Sequence, residues 1–396
     1  MKKFVNLAFL LCLGAVIFAV PALTLTKTAY NAVSYYENRE LAAYPVVTAE
    51  SFWSGAYFSD WETWYADHVP GRTTLLRANV DMQKDVLGKP VVNDVIVSAD
   101  VLLPFLRYGV WDTGTYGDKA APIADQLEGL NDYVTGYGGT FLFVGLPEQS
   151  NYFYDKYPAQ FDNRRWNASA ASAAFYDALN TRSVPYLDML AAYEAEGKPE
   201  EYYSAVDHHF TYFGAFSAYQ ATMERINRLA GLNAPVLQES DLTFQSLPNP
   251  YLGSRNRKLY DHWENSEQAV IGLLNAPIPF TRTDNGAAAD ESVYVLPEND
   301  VQRVNYDLYM GGDQAETVIQ THRPELPDVL VVGDSFTNAL ETLLYASFDE
   351  MRSLDLRYYT EKTLPEYLED YHPDVVLCVR DDTAFYTATG NGATWK

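Results

Sequence analysis

Two clusters in this chain carry residue types suited to nucleophilic chemistry. The first is Gly333-Asp334-Ser335-Phe336, which follows the aliphatic run Val329-Leu330-Val331-Val332 and precedes a helical stretch from Thr337. A serine at such a junction lies at the carboxyl end of a strand and beside a helix N-terminus. Backbone N–H groups and the helix dipole can stabilise a developing oxyanion there, and open α/β sheets hold their ligands at this edge. Asp and Ser are also routine helix caps, so the tetrapeptide alone is a weak signal. The second cluster is Asp207-His208-His209-Phe210-Thr211. A serine hydroxyl needs a base to take its proton, and imidazole has the pKa for that work. A carboxylate must orient the ring and stabilise its charged form. Asp207 and His209 are two residues apart, so in an extended loop their side chains share a side. Thr211 then caps a helix starting near Tyr212. The plainer reading is a structural cap flanked by two surface histidines.

Asp-His-His is also a metal-ligand pattern, but it needs further ligands at suitable spacing. The remaining histidines, His68, His262, His322 and His372, are scattered singly, so neither a metal nor a cofactor is expected. Asp261-His262-Trp263 places its Asp and His adjacent, pointing apart in an extended segment, and is set aside.

These residues need a scaffold, and the chain alternates helix and strand patterns from about residue 120. Helical stretches fall at 126–137, 168–179, 216–230, 337–348 and 364–371. Short apolar strand patterns fall at 140–144, 184–187, 329–332, 354–356 and 375–377. This alternation predicts an α/β fold with a mainly parallel sheet covered by helices on both faces. Residues 238–325 interrupt it with Pro, Gly, Asn and Asp and read as an irregular insertion or lid. Residues 28–110 read as a mostly helical extension, with aromatic residues at helical spacing in Trp61-Glu62-Thr63-Trp64-Tyr65 and a break at Pro70-Gly71. The expected organisation is residues 1–27 as anchor or signal, 28–110 as helical extension and 111–396 as the α/β domain.

At 396 residues the chain can bury a large core. Its formal charge of −25 repels phosphate backbones, so nucleic-acid binding is not expected, and anionic lipid headgroups are repelled equally. A neutral glycan is not. The 31 tyrosines and 7 tryptophans offer faces for sugars, although most such rings fill cores. Lys2 and Lys3 precede an apolar run from Phe4 to Leu25, long enough to cross a bilayer with the rest of the chain outside the cytoplasm. A cleaved signal peptide is the competing reading, with Val20 and Ala22 small enough for a cleavage site. Either way the body is expected outside. Of two cysteines, Cys12 lies in this run and Cys378 in a strand pattern, so no disulfide between them is expected.

The chain resembles the DHHW family, named for an Asp-His-His-Trp motif that reads Asp207-His208-His209-Phe210 here. Glu37-Asn38-Arg39-Glu40-Leu41-Ala42, Trp61-Glu62, Asp67-His68-Val69-Pro70-Gly71-Arg72, Gly333-Asp334-Ser335-Phe336 and Asp355-Leu356-Arg357-Tyr358-Tyr359 follow the order of that family. The pattern is also similar to the alginate O-acetylation proteins AlgJ and AlgX, in which Asp-x-His lies ahead of Gly-Asp-Ser. The resemblance implies an SGNH-hydrolase-like, flavodoxin-like fold with circularly permuted motif order. It implies Ser335 as nucleophile, His209 as general base and Asp207 as its orienting partner, with no role assigned to His208. Phe210 replaces Trp, and both pack as large apolar rings. Gly311-Gly312-Asp313 stands where relatives have Gly-Gly-Asn. An amide donates to an oxyanion whereas an ionised carboxylate repels it, so Gly312, Asp313 and Asn338 are the candidates to examine for oxyanion or substrate contact. The implied activity is serine-dependent O-acetyl transfer to a cell-surface or secreted polysaccharide, with a membrane-bound O-acyltransferase as acyl donor. A carbohydrate esterase and a non-catalytic glycan-binding envelope protein are the alternatives.

Overall fold

The runs Val329–Gly333 and Val375–Asp381 are buried at every position, which is the signature of strands covered on both faces. The computed structural model describes residues 2–26, 32–37, 39–106 and 112–387. Asn38 and the expected boundaries at 27/28 and 110/111 lie outside them. Two units separate: Met1–Val97 with Asn256–Glu264, and Ser98–Arg255 with Asn265–Lys396.

The larger unit is built on an eight-stranded sheet. In chain order its strands are β1 (Thr140–Leu146), β2 (Tyr186–Asp188), β3 (Thr281–Asp284), β4 (Ala287–Ala288), β5 (Glu316–Gln320), β6 (Val329–Gly333), β7 (Glu350–Asp355) and β8 (Val375–Asp381). Across the sheet they lie in the order β4-β3-β5-β7-β6-β8-β1-β2. From β7 to β2 all neighbours are parallel. β5, β3 and β4 extend this core antiparallel. The polar stretch between 238 and 325 therefore contributes three strands to the central sheet. β5 alternates in burial, β3 has a single buried position and β4 is exposed, so none is buried throughout, as befits antiparallel strands with one face toward solvent. The remaining part of that stretch holds a separate two-stranded pair, Leu242–Ser246 with Val270–Leu274.

Helices α1 (Tyr116–Gly136), α2 (Arg165–Thr181), α3 (Tyr212–Ala230), α4 (Thr337–Leu344) and α5 (Leu364–Asp370) cover the sheet. Phe141, Phe143, Leu330, Val332, Val376 and Cys378 bury one face against Leu127 and Leu130 of α1, Phe175 and Leu179 of α2 and Leu364 and Leu368 of α5. The alternate residues Leu142, Val144, Val331 and Leu377 are buried as well, as a period of two requires, and α3 packs against β1 and α4. Gly333 permits the turn from β6 into α4. A Cβ there would lie 2.2 Å from Thr337 Cγ2 and 3.0 Å from the Val379 carbonyl oxygen.

In the smaller unit, Phe4–Thr26 forms a 23-residue helical stretch long and apolar enough to cross a membrane. Helices Ala49–Ser54, Ala56–His68 and Arg72–Asp81 follow, with Gly55 and Gly71 in left-handed conformation at their junctions. Motif residues that read as a signature in sequence are joined here by ion pairs. Asp67 accepts from both terminal nitrogens of Arg39, at 2.9 and 2.5 Å, and from the Ala42 N–H at 2.9 Å. Glu37 receives Arg72 at 2.5 and 3.0 Å. The hydrogen bond from Arg39, aided by the Ala42 N–H, holds the Asp67 carboxyl at about 2 against the opposing effect of burial. His262 is structural: its Nδ1 lies 2.6 Å from Asp81 and its Nε2 accepts from Arg77 Nε at 2.9 Å.

Candidate active site

The imidazole is positioned first by its own loop. Tyr203 and Phe210 form an antiparallel bridge that closes the loop between them. Inside it, Ser204 Oγ accepts the N–H groups of Val206 and Asp207 at 3.1 and 2.9 Å. Asp207 Oδ1 accepts the His209 backbone N–H at 3.1 Å and His209 Nδ1–H at 2.8 Å, while Oδ2 accepts the Ser254 N–H at 2.7 Å. Asp207 thus reaches His209 through a tight Asx-type turn, rather than along an extended loop. Gly253 lets the neighbouring strand of chain approach, since a Cβ there would fall 2.3 Å from the Val206 carbonyl oxygen. Thr211 caps α3, its Oγ1 accepting from the Gly214 N–H at 3.4 Å.

The alcohol comes from the β6–α4 junction. Ser335 Oγ lies 2.8 Å from His209 Nε2. With Nδ1–H donated to a carboxylate, Nε2 is the acceptor and the serine hydroxyl the donor. The residue before it is fixed on both carboxylate oxygens: Asp334 Oδ1 accepts the Phe336 N–H at 3.1 Å, and Oδ2 pairs with buried Arg380 at 2.9 Å. Ser335, His209 and Asp207 therefore form one connected chain of hydrogen bonds.

Electrostatics prepare these groups differently. Burial opposes charge on Asp207, but the charge of His209 and hydrogen bonds from both histidines outweigh it and hold the carboxyl well below its ordinary range. Burial and the neighbouring His208 push His209 down to about 4 against the pull of Asp207, so the ring is neutral at pH 7 and ready to accept a proton. Burial and the charge of Asp381 push Asp334 up to about 6, with Arg380 opposing.

Several residues of the site carry no sequence signal that singles them out. Tyr306, in the turn Tyr306–Leu308, lies flat on the His209 ring, with centroids 3.7 Å apart and planes at 6°. His208 covers the ring at 3.7 Å and 38°, and Phe336 lies at 4.7 Å. Gln149, just beyond β1, donates its N–H to the His208 carbonyl at 3.1 Å and its amide to the Ser204 carbonyl at 2.8 Å. Glu267 accepts the Ala205 N–H at 2.8 Å. In sequence, Tyr306 is one of many tyrosines and stands between Asn305 and Asp307 in a turn-rich stretch.

The three oxyanion candidates meet one another. The Gly312 N–H donates to the Tyr309 carbonyl at 3.1 Å. Asn338 Nδ2 donates to Asp313 Oδ1 at 3.1 Å, and Arg357 donates to Asp313 Oδ2 at 2.8 Å. Burial raises the Asp313 carboxyl, with Arg357 and the Asn338 hydrogen bond opposing. His208 Nδ1 meets Ser254 Oγ at 2.7 Å. Asp207, His208 and His209 offer donor atoms within 4.8 Å of one another, but a metal there would displace the Asp207–His209 hydrogen bond.

An α/β sheet with a parallel core, an Asp-x-His loop and a Gly-Asp-Ser turn at one edge defines an SGNH-hydrolase-like protein. Two family models agree: residues 115–259 match the SGNH hydrolase-like domain of acetyltransferase AlgX, and residues 37–101 match the DHHW protein model. The chain is thus related to the DHHW proteins and carries an AlgX-type SGNH hydrolase-like domain. Among solved structures, it is similar to PatB1 of Bacillus cereus, at 22% identity over 76% of this chain and 98% of that one, with a TM-score of 0.63. It is similar also to a DHHW family protein from Eubacterium siraeum DSM 15702, at 18% identity over 77% and 95%, with a TM-score of 0.54. No curated protein matches the chain.

Proposed function

We propose that this protein is an extracytoplasmic O-acetyltransferase that modifies a cell-surface or secreted polysaccharide through an acetyl-Ser335 intermediate. The observation that carries this reading is the pair of 2.8 Å contacts linking Ser335 Oγ to His209 Nε2 and His209 Nδ1 to Asp207. A match to a domain named for acetyltransferase AlgX supports the choice of acyl group. The apolar helix Phe4–Thr26 supports a membrane anchor with the site outside the cytoplasm, and a membrane-bound O-acyltransferase is the proposed acyl donor.

In the first half-reaction Ser335 Oγ attacks the acetyl carbonyl carbon while its proton passes to His209 Nε2. The tetrahedral intermediate collapses, the bond to the donor oxygen breaks, and that oxygen leaves with the proton from Nε2. In the second, a sugar hydroxyl gives its proton to Nε2 and attacks acetyl-Ser335. Collapse returns the proton to Ser335 Oγ and releases the acetylated sugar. Asp207 orients the ring and stabilises the imidazolium in both halves. The Ser335 N–H and the second N–H of the Asn338 amide are the proposed oxyanion donors. The Asp313 carboxylate lies against Arg357 and Asn338, so its charge is offset.

The test is incubation of the full chain with an activated acetyl ester and a glycan acceptor. Intact mass should show one acetyl group on Ser335, chased onto the sugar and absent in Ser335→Ala. Ester turnover in water that added glycan does not change would identify an esterase instead. No adduct on a folded, glycan-binding protein would reject catalysis.

A further inference from the structure

The smaller unit carries an aromatic surface that meets its own core only at one end, where Trp61 packs on buried Trp64. Trp53 is 84% exposed, and Phe52 and Phe58 are also exposed. Ring contacts run without a gap along this surface: Trp53 to Phe52 at 5.4 Å, Phe52 to Phe58 at 5.4 Å, Phe58 to Tyr57 at 5.6 Å, and Tyr57 to Trp61 at 6.4 Å. The cluster spans the two helices Ala49–Ser54 and Ala56–His68, whose sharp junction at Gly55 has φ 85°. Val46 and Val47, 75% and 59% exposed, lead into it.

Large rings on an aqueous surface mark an interaction site, and the composition narrows the occupant. Tryptophan and tyrosine concentrate where apolar and wet layers meet, at the headgroup level of a bilayer. From Leu41 to Ala66 the chain has no Lys or Arg and three acidic residues, Glu50, Asp60 and Glu62. Attraction to anionic headgroups is therefore absent, so the membrane surface that fits is one without net negative charge. The apolar stretch Phe4–Thr26 precedes the cluster along the chain. Residues 27–48 separate them along the chain, a contour of at most roughly 75 Å, so a bilayer crossed by that stretch is within reach.

We propose that the surface formed by Phe52, Trp53, Tyr57, Phe58 and Trp61 lies in the lipid–water interface of a zwitterionic bilayer. It acts as a second, peripheral membrane contact beside the spanning helix. The proposal rests on the anchor reading above, and the two fail in different ways.

None of the seven tryptophans falls within the apolar stretch, which makes tryptophan emission a clean reporter. The full chain is reconstituted in phosphatidylcholine vesicles whose acyl chains are brominated just below the headgroups. A quenched fraction should appear in the parent protein, shrink in Trp53→Phe to the part contributed by Trp61, and be lost in Phe58→Asp, with the far-ultraviolet circular dichroism of both unchanged. High salt should leave the quenching in place, and phosphatidylglycerol should weaken it. A chain retained in the vesicles but not quenched, or quenched equally in Trp53→Phe, overturns the surface and spares the anchor. Concentration-dependent dimerisation without quenching assigns the rings to a second copy and likewise overturns it. A chain recovered free of vesicles overturns both.

Discussion

At the residue scale, the proposed site is a hydrogen-bonded chain in which the His209 ring is held neutral. Because burial pushes His209 down to about 4, the form that accepts a proton is present above that pH and lost below it. The rate of Ser335 acetylation should stay level from about pH 5 to 8 and fall below about 4, where an exposed histidine would give a limb near 6.5. Stopped-time mass spectrometry of the acetyl adduct checks this. Tyr306 is a positioning residue in this scheme, with its ring pressed on the imidazole. Replacing it by Leu should slow acylation roughly tenfold to a hundredfold through misplacement of the base. It should also move the acid limb upward as water reaches the ring, while Tyr306→Phe keeps both properties. An unchanged limb in Tyr306→Leu would remove Tyr306 from this role. Asn338→Ala tests the proposed oxyanion donor, and a loss of about 10² to 10³ in acylation rate is expected for a single such group.

At the element scale, what could be read in advance depended on how each segment buries itself. The strands at 329–332 and 375–377 were legible because parallel strands covered on both faces are written as unbroken aliphatic runs. β3 and β5 were not, because the one buried position of β3 is a charged residue, Arg282, and β5 interleaves Glu316 and Gln320 with buried Thr317 and Ile319. Ser335, His209 and Asp207 stood out because serine, imidazole and carboxylate occurred in a familiar order. The Asx-type turn that joins Asp207 to His209 depends on distant groups, including the Ser254 N–H, which no local spacing reveals. The junction of β6 and α4 makes its own prediction. Gly333→Ala puts a methyl group 2.2 Å from Thr337 Cγ2, and such overpacking costs about 1–3 kcal/mol. The expected result is a lower melting temperature together with weaker acylation, since the same junction carries Ser335.

At the scale of the whole molecule, stability should respond to pH through buried acids. Burial pushes Glu267 up to about 7, against hydrogen bonds from Ser204 and the Ala205 N–H. A carboxyl whose pKa is raised on folding binds more protons in the native state between about 4.5 and 7, so its contribution to stability falls as pH rises through that window. His209 has the opposite sign, because its pKa is lowered on folding. The native state then binds fewer protons between about 4 and 6.5, and stability rises with pH there. Above about pH 6.5 only the acid contribution remains. The melting temperature should therefore fall from about pH 6.5 to about 7 and level off above it as far as Glu267 is concerned, and Glu267→Gln should flatten that fall. A parallel decline in parent and variant would assign it elsewhere. The formal charge of −25 adds a second lever. Self-repulsion is screened by salt, so 0.5 M sodium chloride should raise the melting temperature.

The tyrosine lying flat against His209 also makes the pocket observable in solution. A carbon-bound imidazole proton held over the face of an aromatic ring experiences its ring current, so the His209 lines should sit upfield of those of the other histidines apart from His68, which is stacked on Trp64. Any event that slides the two planes apart, whether arrival of an acyl donor or protonation of the base, would return those lines toward ordinary positions. The protein thereby carries an internal nuclear-magnetic gauge of whether the His209 ring is seated.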